Sequence, residues 1–377
     1  PIGYDGLLKR YLNKEITMDE MEVEYQKMSR QNTDWFKILF RNSFNHNHSL
    51  SISGGSEKIQ NRTSFGYSRQ LGDAKGNNLS QFTVASNTTV KLWQQLTVNM
   101  TVNGSMRKVD GFAYGVDPFS YAYSTSRVIP CNDEDGFLFY HEKSGRNSDA
   151  VMNKATYNYN ILNEMDETGQ SGRVNQLSSQ LNLEWNIWRG LKYKLQLSYQ
   201  NSHSMKKSWA TENSYYVSDL RGYNLDFYNT YVAAEGDKTK AEIKDGSSIP
   251  TGGIYTKNTS QSDTYTVQNT LEFNYVLKEE HVVNLMAVSE IRQVKTDGLS
   301  GTYYGWQPDR GETFNPAITT AYTTLLAGGS LNPSLTKSTQ NYVSWIFTGS
   351  YSYKDKFVVN GNCLLYTSDA ADDSLRV

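Results

Sequence analysis

Four residues between positions 133 and 142 have the types and spacing of calcium ligands. Asp133, Asp135, Gly136 and Glu142 match the third, fifth, sixth and twelfth positions of a helix-flanked calcium loop. Cys131 stands at the first position, where such a loop needs an aspartate, and no helices are predicted on either side. The favoured interpretation is therefore an acidic surface loop without a metal.

Two histidines form a second candidate metal site. His46 and His48 are two residues apart, so they share one face of a strand, but no third ligand is evident. Polar residues at the start of a strand are the favoured interpretation. Cys131 and Cys363 lie far apart and form no Cys-x-x-Cys pair, so neither a zinc site nor a disulfide framework is indicated.

Motifs for covalent chemistry are not found in the sequence. It has no GxSxG, HExxH, Walker A or GxGxxG arrangement, which nucleophilic, zinc-hydrolase and nucleotide-dependent enzymes need. Lys plus Arg (37) nearly balances Asp plus Glu (39), so no basic field is present for nucleic acid. The sequence therefore predicts no enzyme, no cofactor and no nucleic-acid partner.

Aromatic residues are abundant, with 27 Tyr, 14 Phe and 7 Trp in 377 residues. Many fall in long predicted connections, where ring faces could stack on sugar rings, because binding residues concentrate on loops held by a rigid scaffold. Packing between loops, or contact with a partner, is the alternative. The candidates for ligand contact are Tyr114, Tyr121, Trp209, Tyr304 and Trp306, chosen from a set that also includes Phe112, Phe119, Tyr123, Tyr215, Tyr216 and Tyr303.

The first 48 residues have helical patterns. Thr17 and Glu20 form a capping box, and apolar residues at helical spacing predict a helix over about 18–30. A second short helix is predicted to start after Asn32 or Thr33.

From Ser49 onward the apolar pattern has a period of two, which is typical of strands with one apolar face. The pattern is clearest over 176–200 and predicts a long hairpin with its turn at 188–190. About ten strands are predicted. In this hairpin the apolar face carries Leu177, Leu181, Leu183, Trp185, Ile187, Leu191, Tyr193, Leu195, Leu197 and Tyr199.

The predicted connections alternate in length, which is typical of an outer-membrane barrel with short periplasmic turns and long external loops. Aromatic residues such as Trp93, Trp185 and Trp188 cluster at the short-turn ends, where a membrane boundary favours them. Short turns are predicted near 54–60, 91–95, 188–190, 277–280 and 354–356; a modest loop at 72–78; and long loops at 104–172, 201–260 and 293–340.

Membrane-spanning helices are excluded, because no stretch approaches the roughly 18 consecutive apolar residues that one needs. A soluble β-sandwich whose core contains these aromatics is the alternative fold. The alternating loop lengths favour the barrel. A lipid-facing sheet must close, because every backbone polar group in hydrocarbon needs an internal partner.

Several segments resemble the SusC/RagA family of TonB-linked outer-membrane proteins. They are NTDWFKILFR at 32–41, NHSLSISGGSEK at 47–58, FGY at 65–67 with the glycine-bearing loop 72–76, and YSYKDK at 351–356. The resemblance covers nearly everything from about Asn32 to Asn362. It predicts an all-β fold: a partial transmembrane antiparallel barrel of about ten strands, with a short helical N-terminal segment.

The resemblance also implies a function. The expected protein is a barrel of about 22 strands with a plugged lumen, located in the outer membrane of a Gram-negative cell in contact with its lipid. It imports an oligosaccharide or peptide with a SusD-like surface lipoprotein, driven by the TonB-ExbB-ExbD complex. A surface receptor or adhesin without transport, and a soluble secreted binding module, are the alternatives.

The resemblance divides the chain into three parts. Residues 1–48 are expected to be a helical extracellular-loop segment, and 49–362 part of the barrel. The plug, the TonB box and the C-terminal strands of the family have no counterpart in the sequence. Residues 363–377 resemble translated sequencing-adapter DNA and are predicted to be a non-native tail, so Cys363 itself is in question.

Overall fold

A computed structural model of the chain describes residues 3–146, 156–354 and 356–371. Its strands are β1 Phe44–Gly55, β2 Ile59–Leu71, β3 Asn78–Trp93, β4 Leu96–Gly111, β5 His141–Ser144, β6 Thr156–Tyr159, β7 Thr168–Trp188, β8 Leu191–Ala210, β9 Gly253–Leu277, β10 His281–Gln307, β11 Thr313–Phe314, β12 Ser334–Tyr353 and β13 Phe357–Ala371. Its helices are α1 Tyr4–Leu12, α2 Met18–Arg30, α3 Trp35–Leu39, α4 Pro118–Ser124, α5 Ile161–Glu167, α6 Tyr215–Arg221, α7 Leu225–Thr230, α8 Lys240–Asp245 and α9 Thr320–Ala327, with a 3-10 turn at Pro308–Arg310.

Ten long strands form one antiparallel sheet in the order β1-β2-β3-β4-β7-β8-β9-β10-β12-β13. The short strand β11 pairs with β10, and β5 and β6 form a separate hairpin. Neighbours in the main sheet are also neighbours along the chain once the short loop strands are set aside. The predicted all-β fold with about ten strands is confirmed.

The predicted alternation of connection lengths is also present. Short turns join β1 to β2, β3 to β4, β7 to β8, β9 to β10 and β12 to β13, whereas longer segments join the strands at the opposite end. Gly190 makes the β7–β8 turn with a φ of 80°, and a Cβ there would lie 2.1 Å from the Asn274 carbonyl oxygen. Glycine is therefore required at that turn.

The strands extend well beyond the predicted bounds at the long-connection end. β9 and β10 have 25 and 27 residues, against roughly 9–11 for a strand that only crosses a bilayer. The long loops are correspondingly shorter than predicted, at 112–167, 211–252 and 308–333. The paired strands therefore continue past the length that crosses a bilayer before the loops begin.

One face of the sheet carries a continuous apolar belt. Leu181 on β7 pairs with Met100 on β4 and with Leu197 on β8, and Leu197 pairs with Val267 on β9. Leu181 and Leu197 remain 36% and 38% exposed. In the described part of the chain this face has no second sheet or helix layer over it, so the sandwich interpretation is wrong.

The opposite face is polar along the same strands. Lys192 lies 2.8 Å from Glu184, and Lys194 lies 2.6 Å from Glu272. Both ion pairs are diagonal between neighbouring strands, because the register places Lys194 opposite Glu184 on β7 and Lys192 opposite Glu272 on β9. The sheet therefore separates an apolar side from a charged, hydrogen-bonding side.

The N-terminal helices follow the sequence closely. α2 starts at Met18, and Thr17 and Glu20 form the predicted capping box. α3 follows Asp34, whose side chain accepts the Lys37 backbone N–H, while α1 was not predicted. Among the described residues, no helix is long and apolar enough to span a membrane.

β13 runs through the segment predicted to be a tail. It continues past Cys363, which pairs with Phe347 on β12, as far as Ala371. Backbone pairing needs no side-chain alternation, so a strand is compatible with the irregular sequence there. That residues 363–377 are non-native, and that domain boundaries lie at 48 and 362, stay predictions; β1 itself begins at Phe44.

Candidate functional site

The long connections and the N-terminal segment meet at one end of the sheet and form a first loop core. Trp35 and Leu39 of α3 are 2% and 0% exposed. They pack with residues of the β4–β7 connection, and Trp35 Nε1 donates to the Ser126 carbonyl at 3.4 Å. The buried members of this core are Trp35, Leu39, Val116, Ala122, Ile129, Tyr159 and Ile161.

A second loop core lies over the outer ends of β8 to β10. Its buried members are Ala210, Val217, Ile249 and Ile254, and Tyr114, Tyr216, Leu220 and Tyr304 pack against them. Two connections, β4–β7 and β8–β9, therefore join strands β8, β9 and β10 in one cluster. The loops are held to one another and to the sheet by burial, so they present a defined surface.

Tyr121 belongs to the first loop core. Its ring packs edge-on against Trp35 with centroids 5.0 Å apart, and its hydroxyl is 3.2 Å from His141 Nε2. Burial raises the pKa of Tyr121 to about 12. These contacts fit packing between loops, which is the alternative role considered for the loop aromatics.

Tyr114 and Tyr304 come together in the second loop core, on the polar-face side of the sheet. The Tyr114 hydroxyl is 3.5 Å from Thr256 Oγ1, and its ring centroid lies 4.4 Å from that of Tyr216. Thr256 is in register with Thr302, and their hydroxyls are 3.0 Å apart. Of the two candidate aromatics on β10, Tyr304 and Trp306, Tyr304 is therefore the one on the polar face of the sheet.

Trp209 and Trp306 lie on the opposite side of the same strands. Trp209 pairs with Tyr255, which continues the face of Val267, and the ring of Tyr255 is 5.4 Å from that of Trp306. Trp306 is only 7% exposed, and Phe314 of β11 pairs with it. The five candidate aromatics therefore do not form one site. Tyr121 is in the first loop core, Tyr114 and Tyr304 are on the polar-face side of the sheet, and Trp209 and Trp306 are on the other side.

Tyr304 also borders a cleft that sequence reasoning missed. The cleft has a volume of about 570 Å³ and lies between the β8–β9 and β10–β12 connections. Its charged and aromatic lining residues are Arg221, Lys238, Glu242 and Tyr304. An open cleft with an exposed cation, a carboxylate and a ring is suited to a polar ligand of several groups.

Arg221 is the least expected member of this cleft, since it is 2% exposed. Its Nη2 donates to the Glu212 carbonyl at 2.8 Å and its Nε to the Ile249 carbonyl at 3.4 Å, while Nη1 is buried without a partner. Burial lowers the pKa of Arg221 to about 10. One arginine in a loop carries no sequence signal of burial, so only the structure could identify it.

A buried glutamate connects the two loop cores. Glu164 of α5 is 2% exposed, and its Oε1 accepts the Tyr215 backbone N–H at 2.8 Å and the Asn163 Nδ2 at 3.1 Å. Burial raises the pKa of Glu164 from 4.5 to about 7. This carboxyl therefore changes charge near neutral pH.

We expect the stability of this junction to decrease as the pH rises. The folded protein binds the Glu164 proton more tightly than the unfolded chain, so the cost of the buried charge is absent below pH 4.5 and reaches roughly 3 kcal/mol above pH 7. Glu164→Gln keeps the acceptor oxygen and removes the charge. Hydrogen exchange over α5 and α6 in the protein should become independent of pH between 5 and 8, after correction for intrinsic rates.

The exposed neighbour provides the control for that experiment. Asp166→Asn on the same helix should leave the pH dependence as in the parent protein, because Asp166 is exposed. An unchanged pH dependence in the Glu164→Gln protein would show that another group is responsible.

The two sequence candidates for metal binding are placed as follows. Asp133 Oδ1 accepts the backbone N–H groups of Asp135 and Phe137, so this carboxylate closes its own turn. His46 and His48 share a face of β1 with ring centroids 5.1 Å apart. In residues 3–146, 156–354 and 356–371, no group of three or more potential ligands could hold a metal ion.

The comparisons with known proteins point to one class. No family model matches the chain. It is 21% identical over 330 residues to the TonB-dependent receptor P26 of Formosa agariphila, which covers 87% of this chain and 28% of that protein. It is 32% identical over 102 residues to the TonB-dependent receptor SusC of Bacteroides thetaiotaomicron, covering 25% of this chain and 10% of SusC.

The solved structure of the RagAB peptide transporter matches the fold, with a TM-score of 0.63 and 17% identity over 90% of this chain and 33% of that one. The chain is a SusC/RagA-like sequence. The resemblance seen in the sequence is thereby confirmed, and so is the partial barrel. The SusC/RagA-like chain spans about a third or less of the length of the proteins it matches.

Proposed function

We propose that the SusC/RagA-like chain is part of the wall of an outer-membrane barrel that imports a nutrient with energy from the TonB complex. The observation that carries this proposal is the uncovered apolar belt of the sheet, bounded by short turns at one end and long, packed connections at the other. A belt of this kind is stable in lipid, and its polar reverse face is suited to a water-filled or plugged lumen.

The proposed ligand is an oligosaccharide or a peptide. The similarity in fold to the RagAB peptide transporter supports the peptide class, and the oligosaccharide class is what the resemblance to the SusC/RagA family implies. The ligand would bind between the loop cores and a SusD-like lipoprotein, and then pass along the polar face. Binding and conformational change perform the work, so no catalytic residue is proposed.

The direct test is uptake by cells that carry the full-length receptor. Labelled oligosaccharides and peptides should accumulate in the periplasm of cells with TonB, ExbB and ExbD, and not in cells without TonB. Surface binding that never leads to TonB-dependent uptake of any ligand would favour the adhesin alternative and contradict import.

Among the five candidate aromatics we propose Tyr304 as the ring that contacts ligand, because it borders the cleft on the polar-face side. Tyr304→Ala should weaken ligand binding by ~3- to 10-fold, since an aromatic contact contributes ~0.5–1.5 kcal/mol beyond area burial. Calorimetry on the purified receptor measures this change.

Trp306→Phe is the matched control, because Trp306 is two residues away but belongs to the other face. It should leave the affinity unchanged. Equal weakening in both variants would place the effect in loop stability and remove Tyr304 from the ligand site.

A further inference from the structure

Three cations lie in one row across the apolar face of the sheet. In the strand register, Arg69 on β2 pairs with Ser80 on β3, Ser80 pairs with Lys108 on β4, and Lys108 pairs with Arg173 on β7. We call Arg69, Lys108 and Arg173 the basic row. On the same face, Tyr67 and Met106 are the next residues of β2 and β4, and Leu177 lies four residues from Arg173 on β7; all three belong to the apolar belt, so the row is on that face.

The basic row stands at the edge of the belt nearest the long connections. On the same face, Tyr67 and Met106 are the next residues after Arg69 and Lys108 in the direction of the short turns, and both side chains are exposed. On β4 the segment from Met106 down to Leu96 has the length of roughly 9–11 residues that crosses a bilayer. The cations therefore lie at the level where the hydrocarbon core of the bilayer would end and the lipid headgroups would begin.

The charges of the row are only partly compensated. Lys108 Nζ lies 3.0 Å from the Asp110 carboxylate, which also accepts the Ser171 hydroxyl at 2.7 Å. Arg69 and Arg173 are exposed, and no carboxylate of the described residues lies within ion-pair distance of either. Two free guanidinium groups therefore flank one paired lysine.

The other edge of the belt is built differently. The short-turn ends of β3 and β7 carry Trp93, Trp185 and Trp188, all strongly exposed. Indole rings suit any membrane boundary, whereas arginine and lysine bind phosphate oxygens through charge-assisted hydrogen bonds. The asymmetry points to a leaflet with accessible phosphate groups at the long-connection end.

We propose that the basic row binds the phosphate groups of lipid headgroups in the leaflet nearest the long connections. Lys108 and Arg173 are direct neighbours, with Cβ atoms about 4.5–5.5 Å apart, so they can share one phosphate. Arg69 lies two strands from Lys108, about 10 Å away, and can bind a second phosphate. The acyl chains would pack on Tyr67, Met106 and the belt below them.

This inference rests on the proposed function, since it requires the belt to face lipid. A partner protein with an acidic surface is the competing occupant. Lipid is favoured because the row is continuous with the apolar belt, and an acidic protein surface would not cover that belt.

The test uses the full-length receptor in detergent, native mass spectrometry, and three added probes: phosphatidic acid, phosphatidylcholine with the same acyl chains, and inorganic phosphate. The parent receptor should retain phosphatidic acid in preference to phosphatidylcholine. The variant Arg69→Gln/Lys108→Gln/Arg173→Gln should lose this preference, with affinity falling about fivefold for each free arginine, because one basic residue near an anionic surface contributes about 1 kcal/mol.

The matched control is Arg62→Gln/Arg107→Gln/Lys206→Gln, which removes three cations from the polar face. Arg107 is adjacent to Lys108 on β4, and Arg62 is on β2 with Arg69. This control should keep the preference. If both triple variants lost the preference for phosphatidic acid equally, the effect would be one of net charge, and the proposal would be overturned. It would also be overturned if inorganic phosphate bound as tightly as phosphatidic acid.

The proposed function and the proposed lipid site are contradicted by different results. A receptor that does not insert into membranes contradicts the proposed function. A receptor that inserts and imports, but whose basic-row variant retains phosphatidic acid like the parent, contradicts only the lipid site.

Discussion

Replacing Leu181 and Leu197 together with arginine is expected to prevent the full-length receptor from assembling in the outer membrane. The two residues pair across β7 and β8 in the middle of the apolar belt. Each arginine on the lipid face near the bilayer midplane costs ~2–4 kcal/mol, and total stabilities are often only ~5–15 kcal/mol. Heat-modifiable migration of the receptor from isolated outer membranes measures assembly.

The adjacent pair on the same two strands is the control. Gln180 and Ser198 are also directly opposite each other, but on the polar face. Gln180→Arg/Ser198→Arg adds the same two charges and should leave assembly intact. If both double variants assembled equally well, the belt would not face lipid.

The isolated 377-residue chain is expected to aggregate when it is produced in water. β1 and β13 are the two outer strands of the main sheet, and each leaves one row of backbone donors and acceptors unpaired. Large apolar side chains such as Leu50, Ile52, Trp345 and Phe347 are also 46–59% exposed. Unpaired edges and an exposed apolar face both promote association.

Size-exclusion chromatography with light scattering measures this outcome. We expect soluble material only in the presence of detergent, and in water only large assemblies. A monodisperse, water-soluble monomer would contradict the expectation and would require another element to cover the belt.

The sequence predicts those parts of the fold that a local pattern of residues determines. The α2 boundary follows from the capping box of Thr17 and Glu20, and the β7–β8 pairing follows from the alternation around the glycine turn. The period-two pattern is strong there because one face must be apolar and the other must not. The register of Leu181 with Leu197 is a direct consequence.

The strand ends near the long connections could not be predicted from such a pattern. β9 begins at Gly253, well before the alternation becomes regular near Tyr265. Beyond the belt both faces are polar or covered by loops, so no pattern distinguishes them. The loop helices were missed for a related reason, since α4 and α5 have seven residues each and depend on the caps Asp117 and Asn160 and on loop packing.

The placement of the candidate aromatics was equally beyond the sequence. Gly305 has a φ of 77° and interrupts the β9–β10 register between Tyr304 and Trp306. The two rings are therefore on opposite faces, although a regular strand would place positions 304 and 306 together. Arg221 was missed because burial of a lone loop arginine is set by distant residues such as Ile249.

The claim that one face of the sheet meets lipid is tested most directly by site-directed spin labelling of the full-length receptor in bilayers, with Cys131 and Cys363 replaced by serine. Nitroxides are placed singly at consecutive positions of β7 and β8, 180–183 and 195–198. We predict that Leu181, Leu183, Leu195 and Leu197 are relaxed by oxygen and shielded from a water-soluble nickel chelate, with the reverse at the intervening residues. Equal access of the chelate to both sets, or shielding of the leucines from both reagents, would contradict the account.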